Sequence, residues 1–235
     1  MKKLIFSVFV LMIGGLSTSY ADNKITPENK AQFETLIRDY LMKNPEVIRD
    51  AIQALQKKEL EKRAALKQQL IEGNAAMISN DSTDPFIGNP DAKAVVVEFF
   101  DYNCGYCRRA LPTAAKLIDN DKRVKYVFKE FPILSENSRL ASEVSMAVWK
   151  IDPKKYRDFH WGIMKSPGRA NETVLKKQIE TIGMKWDEVI KVAKGKEVKA
   201  KLDANIELAR KLGIDGTPSF IIGKKFFPGL ASYEA

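Results

Sequence analysis

The run Cys104-Gly105-Tyr106-Cys107 contains the only two cysteines among the 235 residues of the chain. It follows an apolar strand pattern, 94–100, and leads into a helical pattern. Two thiols one helical turn apart can close a small disulfide, and the first lies at the positive end of the helix dipole, where a thiolate is stabilised. A strand that delivers Cys-x-x-Cys to the first turn of a helix is typical of thiol–disulfide redox sites.

A metal site is one alternative interpretation of the cysteine pair. A structural zinc ion needs four ligands, whereas this chain offers no further cysteine and a single histidine, His160. Carboxylates or a second subunit would have to complete such a site. An inert structural disulfide is the other alternative. We predict a redox pair formed by Cys104 and Cys107, with no metal and no cofactor.

The N-terminus has the pattern of a secretory signal peptide. Lys2 and Lys3 precede an apolar stretch, 4–16, and small residues lead to Ala21. The stretch is too short and too weakly flanked for a membrane anchor, although an uncleaved amphipathic or anchoring helix is the alternative. We therefore predict a signal peptide over 1–21 and export to the periplasm, an oxidising compartment in which a Cys-x-x-Cys pair has a use.

The formal net charge of +9 is spread along the chain rather than concentrated in one patch. Lysines in the region 57–67 alternate with Glu59 and Glu61, which is typical of a solvated, salt-bridged helix face. We expect no nucleic-acid partner.

Residues 22–75 have the pattern of two amphipathic helices separated at Asn44-Pro45, because the residue before proline avoids helical geometry. The second helix is predicted to end at Gly73-Asn74. The first carries an apolar stripe of helical period, formed by Phe33, Leu36, Ile37, Tyr40 and Leu41. Such helices cannot bury a stripe alone, so they either fold back within the chain or self-associate. We predict a helical oligomerisation segment over 22–75, in a homo-oligomer with a dimer favoured over a trimer, and a turn-rich linker over 76–90.

Residues 91–235 have the pattern of one α/β domain. Its predicted elements, in chain order, are a central strand 94–100, the cysteine helix, a strand 124–131, a helical insert about 135–212, a Gly216-Thr217-Pro218 loop, and a hairpin of strands 219–222 and 225–227.

Three stretches of this domain carry a family resemblance: EFFDYNCGYC at 98–107, KEFPIL at 129–134 and GTPSF at 216–220. Together they resemble exported DsbA-like thiol:disulfide interchange proteins, including the Com1-like and ScsC-like groups that have N-terminal oligomerisation helices. The resemblance implies an α/β thioredoxin fold with a helical insertion, preceded by an N-terminal helical oligomerisation segment. The family normally ends with a helix across the sheet, so we expect either a truncated sequence or a sheet face that is covered differently.

The position of each cysteine predicts its role. Cys104, at the helix N-terminus, is expected to be the exposed attacking thiolate, because helix N–H groups and the dipole lower a thiol pKa. Cys107, one turn further, is expected to be more buried and to resolve the mixed disulfide. Pro218 is expected to be cis and packed against the disulfide, which leaves the Thr217 backbone free to pair with a substrate strand.

The resemblance also implies a redox poise and a set of partners. The dipeptide Gly105-Tyr106 and the residue before the loop proline, Thr217, tune the potential in this family, and their combination resembles that of disulfide isomerases. The implied activity is disulfide isomerisation, disulfide formation or both, in reduced or misoxidised exported proteins, with a DsbB-like or DsbD-like membrane redox partner. The alternative is a periplasmic chaperone or a copper-sequestering protein that uses the same cysteines.

Glu98 is a carboxylate in an otherwise apolar strand, and a buried carboxylate needs a physical reason. It could pair with Lys129, or it could accept protons during thiol exchange. A salt-bridged Glu98 with no role in turnover is the alternative. Phe100 is expected to be plain core, and His160 to be structural.

Overall fold

The computed structural model describes residues 26–231 and 233, so the predicted signal peptide lies outside the described residues. The elements are α1 (Pro27–Lys43), α2 (Glu46–Gly73), α3 (Ala75–Ser79), β1 (Phe86–Gly88), β2 (Ala94–Phe100), α4 (Gly105–Asn120), β3 (Val124–Glu130), α5 (Glu136–Ile151), α6 (Pro153–Lys165), α7 (Glu172–Thr181), α8 (Trp186–Ala193), α9 (Lys196–Lys211), β4 (Ser219–Ile222) and β5 (Lys225–Pro228). The chain divides into two compact units between Lys57 and Lys58, within α2.

The N-terminal unit holds α1 and the first part of α2. The side chain of Thr26 caps α1, and Asn44 ends this helix just before Pro45, as the sequence predicts. Four members of the predicted stripe are exposed along the single chain: Phe33, Leu36, Ile37 and Tyr40. An apolar face of this kind stays in water unless another surface covers it.

The second unit is built on a five-stranded sheet of order β1-β3-β2-β4-β5. The central strand β2 runs parallel to β3 and antiparallel to β4. Because side chains alternate along a strand, Val96, Glu98 and Phe100 face one side of β2 while Val97 and Phe99 face the other. Two hydrophobic cores result, one on each face.

The first core lies between the sheet, α4 and the helical insert. The insert comprises α5 to α9. The second core packs the end of α2, α3 and α9 against the opposite face of the sheet, where Ile71 and Ile78 meet Phe99 and Val127.

The predicted linker over 76–90 differs from the observed structure, since it holds most of α3 and all of β1. Ile78 is buried in the second core, and β1 pairs with β3. Turn residues such as Asn89 and Pro90 do mark chain reversals, but they leave room for a short helix and a short edge strand between them. The segment from Ile71 onward therefore belongs to the packed second unit and is not a free connector.

Among the described residues, no helix combines the length and the apolar content that crossing a membrane requires.

Candidate active site

Cys104 is the N-cap residue of α4, with extended backbone geometry, and its Sγ accepts a hydrogen bond from the Cys107 N–H at 3.4 Å. A hydrogen bond from the Cys107 thiol, helped by Thr217 and the backbone N–H groups of Tyr106 and Cys107, lowers the pKa of Cys104 to about 5, against the opposing effect of burial. A thiol with this pKa is mainly thiolate at neutral pH, which is the nucleophilic form.

Cys107 differs sharply from its neighbour. Its side chain is completely buried, and burial raises the pKa of its thiol well above the ordinary value, with further contributions from Cys104 and Glu98. Both cysteines are free thiols in this structure. Because the two pKa values are shifted in opposite directions, Cys104 is the sulfur that ionises at neutral pH and Cys107 is the one that keeps its proton.

The expectation that Cys104 is exposed is wrong, since only 6% of the residue is accessible. Its Sγ lies 3.2 Å from the carbonyl oxygen of Thr217, which covers it from the side of the loop before β4. The loop lies 113 residues further along the chain, so the local pattern around the cysteines holds no sign of this contact.

The Thr217–Pro218 peptide bond is cis, as predicted. Pro218 is buried, and its carbonyl accepts a hydrogen bond of 2.9 Å from the Gly229 N–H beyond β5. The Ser219 hydroxyl donates to the Gly216 carbonyl at 2.8 Å. These bonds fix the loop on which the Thr217 carbonyl approaches the nucleophile.

Glu98 lies in the first core, and its Oε2 accepts a hydrogen bond of 2.7 Å from the Tyr126 hydroxyl. Burial raises the pKa of Glu98 to about 7; the Tyr126 hydrogen bond opposes this rise, and the charge of Cys104 adds to it. Its second oxygen, Oε1, has no hydrogen-bond partner among the described residues. The strand thus holds a carboxyl group that can gain or lose a proton near neutral pH.

The predicted pairing of Glu98 with Lys129 is wrong. Glu98 is level with Phe128 in the parallel ladder, so Lys129, one residue further, points to the opposite face of the sheet. There its ammonium group pairs with the buried carboxylate of Asp84 and donates to the carbonyl of Met77. Tyr126 is the partner that sequence reasoning missed, although its position two residues before Phe128 places it on the face of Glu98.

A three-residue turn, 101–103, joins β2 to the cysteine helix, and its side chains hold it to the loop before α5. The fully buried Asp101 accepts hydrogen bonds from the N–H groups of Asn103 at 2.8 Å, Ile133 at 3.0 Å and Leu134 at 3.1 Å. The Asn103 amide donates to Ser138 at 3.2 Å. Four hydrogen bonds therefore hold the turn that directly precedes Cys104.

Tyr102, in the same turn, extends these contacts into the helical insert. Its hydroxyl lies 2.7 Å from the Ser145 hydroxyl and 2.9 Å from Nδ1 of His160. Burial lowers the pKa of His160 to about 3, so this ring is neutral, and the rings of Phe100 and Phe128 pack around it. These contacts hold His160 in the packed core, where Phe100 is also fully buried.

The surface beside the cysteines is partly apolar. Tyr106 is 55% exposed and Leu134 is 54% exposed. Gly105 is also exposed, and the Arg109 guanidinium lies 4.5 Å from the centre of the Tyr106 ring. Arg108 instead holds backbone, because it donates to the carbonyls of Tyr102 and Ser166.

No group of three or more histidine, cysteine, aspartate or glutamate side chains within the described part of the chain is arranged to hold a metal ion.

Two parts of the chain match known protein families. Residues 95–235 match the family described as DSBA-like thioredoxin domain, and residues 29–62 match the family described as Copper resistance protein ScsC N-terminal domain. Disulfide bond formation protein D of Bacillus subtilis is 29% identical over 175 residues, covering 69% of this chain and 79% of the relative.

Solved structures show the same likeness. A thioredoxin-like oxidoreductase from Silicibacter pomeroyi is 38% identical with a TM-score of 0.65, covering 68% of this chain and 91% of that one. ScsC from Proteus mirabilis in a compact conformation is 33% identical with a TM-score of 0.64, covering 86% and 100%. The thiol-disulfide exchange protein alpha-DsbA2 from Wolbachia pipientis is 30% identical with a TM-score of 0.69, covering 74% and 93%. The chain belongs to the DSBA-like thioredoxin domain family of thiol–disulfide oxidoreductases.

Proposed function

We propose that this protein isomerises disulfides in exported proteins, and also forms them, as a homo-oligomer in the periplasm. The observation that carries the proposal is the difference between the two thiols: the pKa of Cys104 is lowered to about 5, while that of the fully buried Cys107 is raised. An enzyme of this kind needs one thiolate that attacks the substrate and a second, protonated thiol that later resolves the mixed disulfide.

The attack starts from the Cys104 thiolate. It displaces one sulfur of a substrate disulfide, so a mixed disulfide forms and the displaced substrate sulfur leaves as a thiolate. In isomerisation, a different substrate thiolate attacks the mixed disulfide, which restores the Cys104 thiolate and leaves a new substrate pairing. No net electrons are exchanged in that cycle.

Cys107 provides a second way to resolve the mixed disulfide. After losing its proton, it attacks Cys104 of the mixed disulfide, so that the substrate leaves reduced and the Cys104–Cys107 disulfide forms. The reverse sequence oxidises a substrate dithiol and reduces the enzyme by two electrons. Glu98, whose pKa is raised to about 7, is the proposed acceptor and donor of the Cys107 proton.

Thr217 and Pro218 are the proposed substrate-binding residues. The Thr217 carbonyl lies 3.2 Å from the attacking sulfur, so a substrate strand that pairs with this backbone brings its own sulfur close to Cys104. Gly105 and Tyr106, exposed at the same opening, are proposed to contact the substrate and to tune the potential. Lys129 has no proposed part in proton transfer, because it faces the opposite side of the sheet.

Isomerisation is favoured over pure oxidation by the N-terminal unit. The exposed apolar face of α1 and the match of residues 29–62 to the ScsC N-terminal domain support self-association, for which we propose a dimer. Two sites in one assembly could hold a misfolded substrate while its disulfides are exchanged. The proposed substrates are reduced or misoxidised exported proteins, and a DsbB-like or DsbD-like membrane protein would restore the redox state of the enzyme.

Parallel assays test the proposal. The purified protein should restore activity to a scrambled, fully oxidised substrate and should oxidise a reduced one, and Cys104→Ser should abolish both activities. A reduction potential of about −180 mV would agree with these roles, whereas one of about −270 mV is typical of a reductant. A wild-type protein that refolds neither substrate would overturn the proposal.

The match to a copper resistance protein domain supports one second candidate, the sequestration of Cu(I) by Cys104 and Cys107. Thiolates are preferred ligands of this soft ion. Competition of the reduced protein with a Cu(I) chelator, repeated with Cys107→Ser, measures such binding. Tight copper binding together with absent disulfide exchange would favour this candidate over the first.

A further inference from the structure

Lys67, in the part of α2 that belongs to the second unit, binds the C-terminal end of α9. Its ammonium group donates to the carbonyl of Leu212 at 2.5 Å and to that of Gly213 at 2.9 Å. The carbonyls at a helix C-terminus lack intrahelical donors and lie at the negative end of the helix dipole, so a lysine there is stabilising.

The helix end that receives Lys67 has a defined turn. The Gly213 N–H bonds to the Arg210 carbonyl, and the Ile214 N–H bonds to the Ala209 carbonyl, while Gly213 adopts a φ of +61°. This Schellman arrangement uses the earlier carbonyls of the last turn and leaves those of Leu212 and Gly213 for Lys67. The lysine thereby completes the hydrogen bonding at the start of the loop that follows.

Lys67 also contacts the hairpin on the far side of that loop. Its Nζ lies 4.1 Å from the centre of the Phe226 ring in β5, a cation–π contact. Phe226 is paired with Ile221 of β4, the strand that begins directly after Pro218. One side chain therefore contacts both the helix end that precedes the loop 213–218 and the hairpin that follows it.

The loop between these two anchors carries the Thr217 carbonyl, 3.2 Å from Cys104 Sγ. Between Gly213 and Thr217 the chain has one buried side chain, Ile214, which packs in the same core as Ile71, one turn beyond Lys67. Only three residues separate Gly213 from Thr217, so a displacement of the Gly213 backbone is expected to displace Thr217 as well.

We propose that Lys67 is a positioning residue that holds the Thr217–Pro218 loop in the geometry that pairs with substrate backbone. The proposal rests on the proposed thiol–disulfide exchange and adds a residue to it from outside the cysteine motif. The hydrogen bonds and the ring contact of Lys67 are with Leu212, Gly213 and Phe226 rather than with either cysteine. It acts through the position of Thr217, whose backbone is proposed to pair with substrate and whose carbonyl lies beside Cys104 Sγ.

The test compares Lys67→Met, which keeps the aliphatic stem, with Lys67→Arg, which keeps a charged donor. Lys62→Met is the matched control, because Lys62 is exposed on the same helix. Three quantities are measured on the full chain: KM and kcat for a disulfide-bonded peptide with glutathione as reductant, the rate of Cys104 alkylation by iodoacetamide, and the melting temperature. Lys67→Gln gives a second neutral variant in case the methionine lowers the yield of folded protein.

For Lys67→Met we expect KM to rise about 10-fold, which corresponds to about 1.4 kcal/mol, close to the lower end of the range for a hydrogen bond from a charged donor. We expect the rate of Cys104 alkylation to change as well, because the Thr217 carbonyl covers Cys104 Sγ. Lys67→Arg should stay closer to wild type, and Lys62→Met should equal wild type.

An unchanged KM in both neutral variants would overturn the inference, whether or not their melting temperatures fall, because Lys67 would then be purely structural. An unchanged alkylation rate in both neutral variants would also overturn it, because the Thr217 carbonyl beside Cys104 would then not have moved. If the wild-type protein were inactive on the peptide, the proposed function would fail first, and this inference with it.

Discussion

Tyr126 donates a hydrogen bond of 2.7 Å to Glu98 across two parallel strands, inside the core that also encloses Cys107. The hydrogen bond stabilises the ionised carboxylate, while burial stabilises the protonated acid more strongly. The balance leaves the pKa of Glu98 at about 7, where the group can exchange a proton under ordinary conditions.

Glu98→Gln should change the dependence of stability on pH. The pKa of Glu98 is raised from 4.5 to about 7 in the folded protein. The protonated side chain of Glu98 therefore stabilises the folded state below pH 4.5, and this stabilisation is lost as the pH rises towards 7. Relative to wild type, the variant should therefore gain about 3 kcal/mol between pH 4.5 and pH 8. Urea unfolding of both reduced proteins at the two pH values measures the difference. An equal pH dependence in wild type and variant would show that Glu98 does not titrate in this range.

Cys107→Ala should raise the pKa of Cys104 above about 5, because the hydrogen bond from the Cys107 thiol is the largest cause of the low value. Cys107→Ser keeps a hydroxyl donor at the same place and should raise it less. Thiolate absorbance as a function of pH gives the pKa in each variant. Both variants should also accumulate mixed disulfides with substrates, since the resolving thiol is gone. If Cys107 proved to be the faster-alkylating thiol in the wild type, the two roles would be reversed.

Thr217→Val should move the protein towards oxidation and away from isomerisation. Thr217 contacts the attacking sulfur and valine lacks its hydroxyl group, so the substitution can change the relative stability of thiolate and disulfide. A tenfold change in the equilibrium with glutathione is only about 30 mV. Assays with a scrambled and with a reduced substrate, run side by side, measure the ratio of the two activities. A constant ratio would remove Thr217 from the residues that tune the site.

Two N-terminal deletions should behave differently. A protein that starts at Lys58 keeps the packed second unit and should be a folded monomer with reactive Cys104 and little isomerase activity. A protein that starts at Ala76 lacks Ile71, which is 3% exposed, and should be less stable by about 2–5 kcal/mol for that side chain alone. Sedimentation equilibrium and thermal denaturation distinguish the outcomes. A monomeric full-length protein, or a Lys58 deletion that isomerises equally well, would contradict the role of self-association.

Lys129→Met should destabilise the protein by about 3–5 kcal/mol, because it leaves the buried carboxylate of Asp84 short of one cation. The exposed pair of Arg157 and Asp119 provides the control, and Arg157→Ala should cost less than about 1 kcal/mol. Denaturant unfolding of both variants gives the two values. Equal and small losses would mean that Lys201, the second cation on Asp84, suffices alone.

Local patterns in the sequence were enough to locate the cysteine pair, the strand before it and the helix after it. The N-cap position of Cys104, the apolar run of β2 and the end of α1 before Pro45 depend on neighbours within one or two turns, which a sequence displays directly. The family resemblance predicts the cis bond before Pro218, and this bond is present.

The partners of the other site residues depend on long-range packing. The pairing register placed Glu98 beside Tyr126 and sent Lys129 to the opposite face, and a shift of one residue would have reversed both assignments. The burial of Cys104 by Thr217, and the cap that Lys67 places on α9, join residues more than one hundred positions apart. The types of these residues are written in the chain, but their partners depend on how the sheet and helices pack, because hydrogen bonds and burial are properties of distance in space.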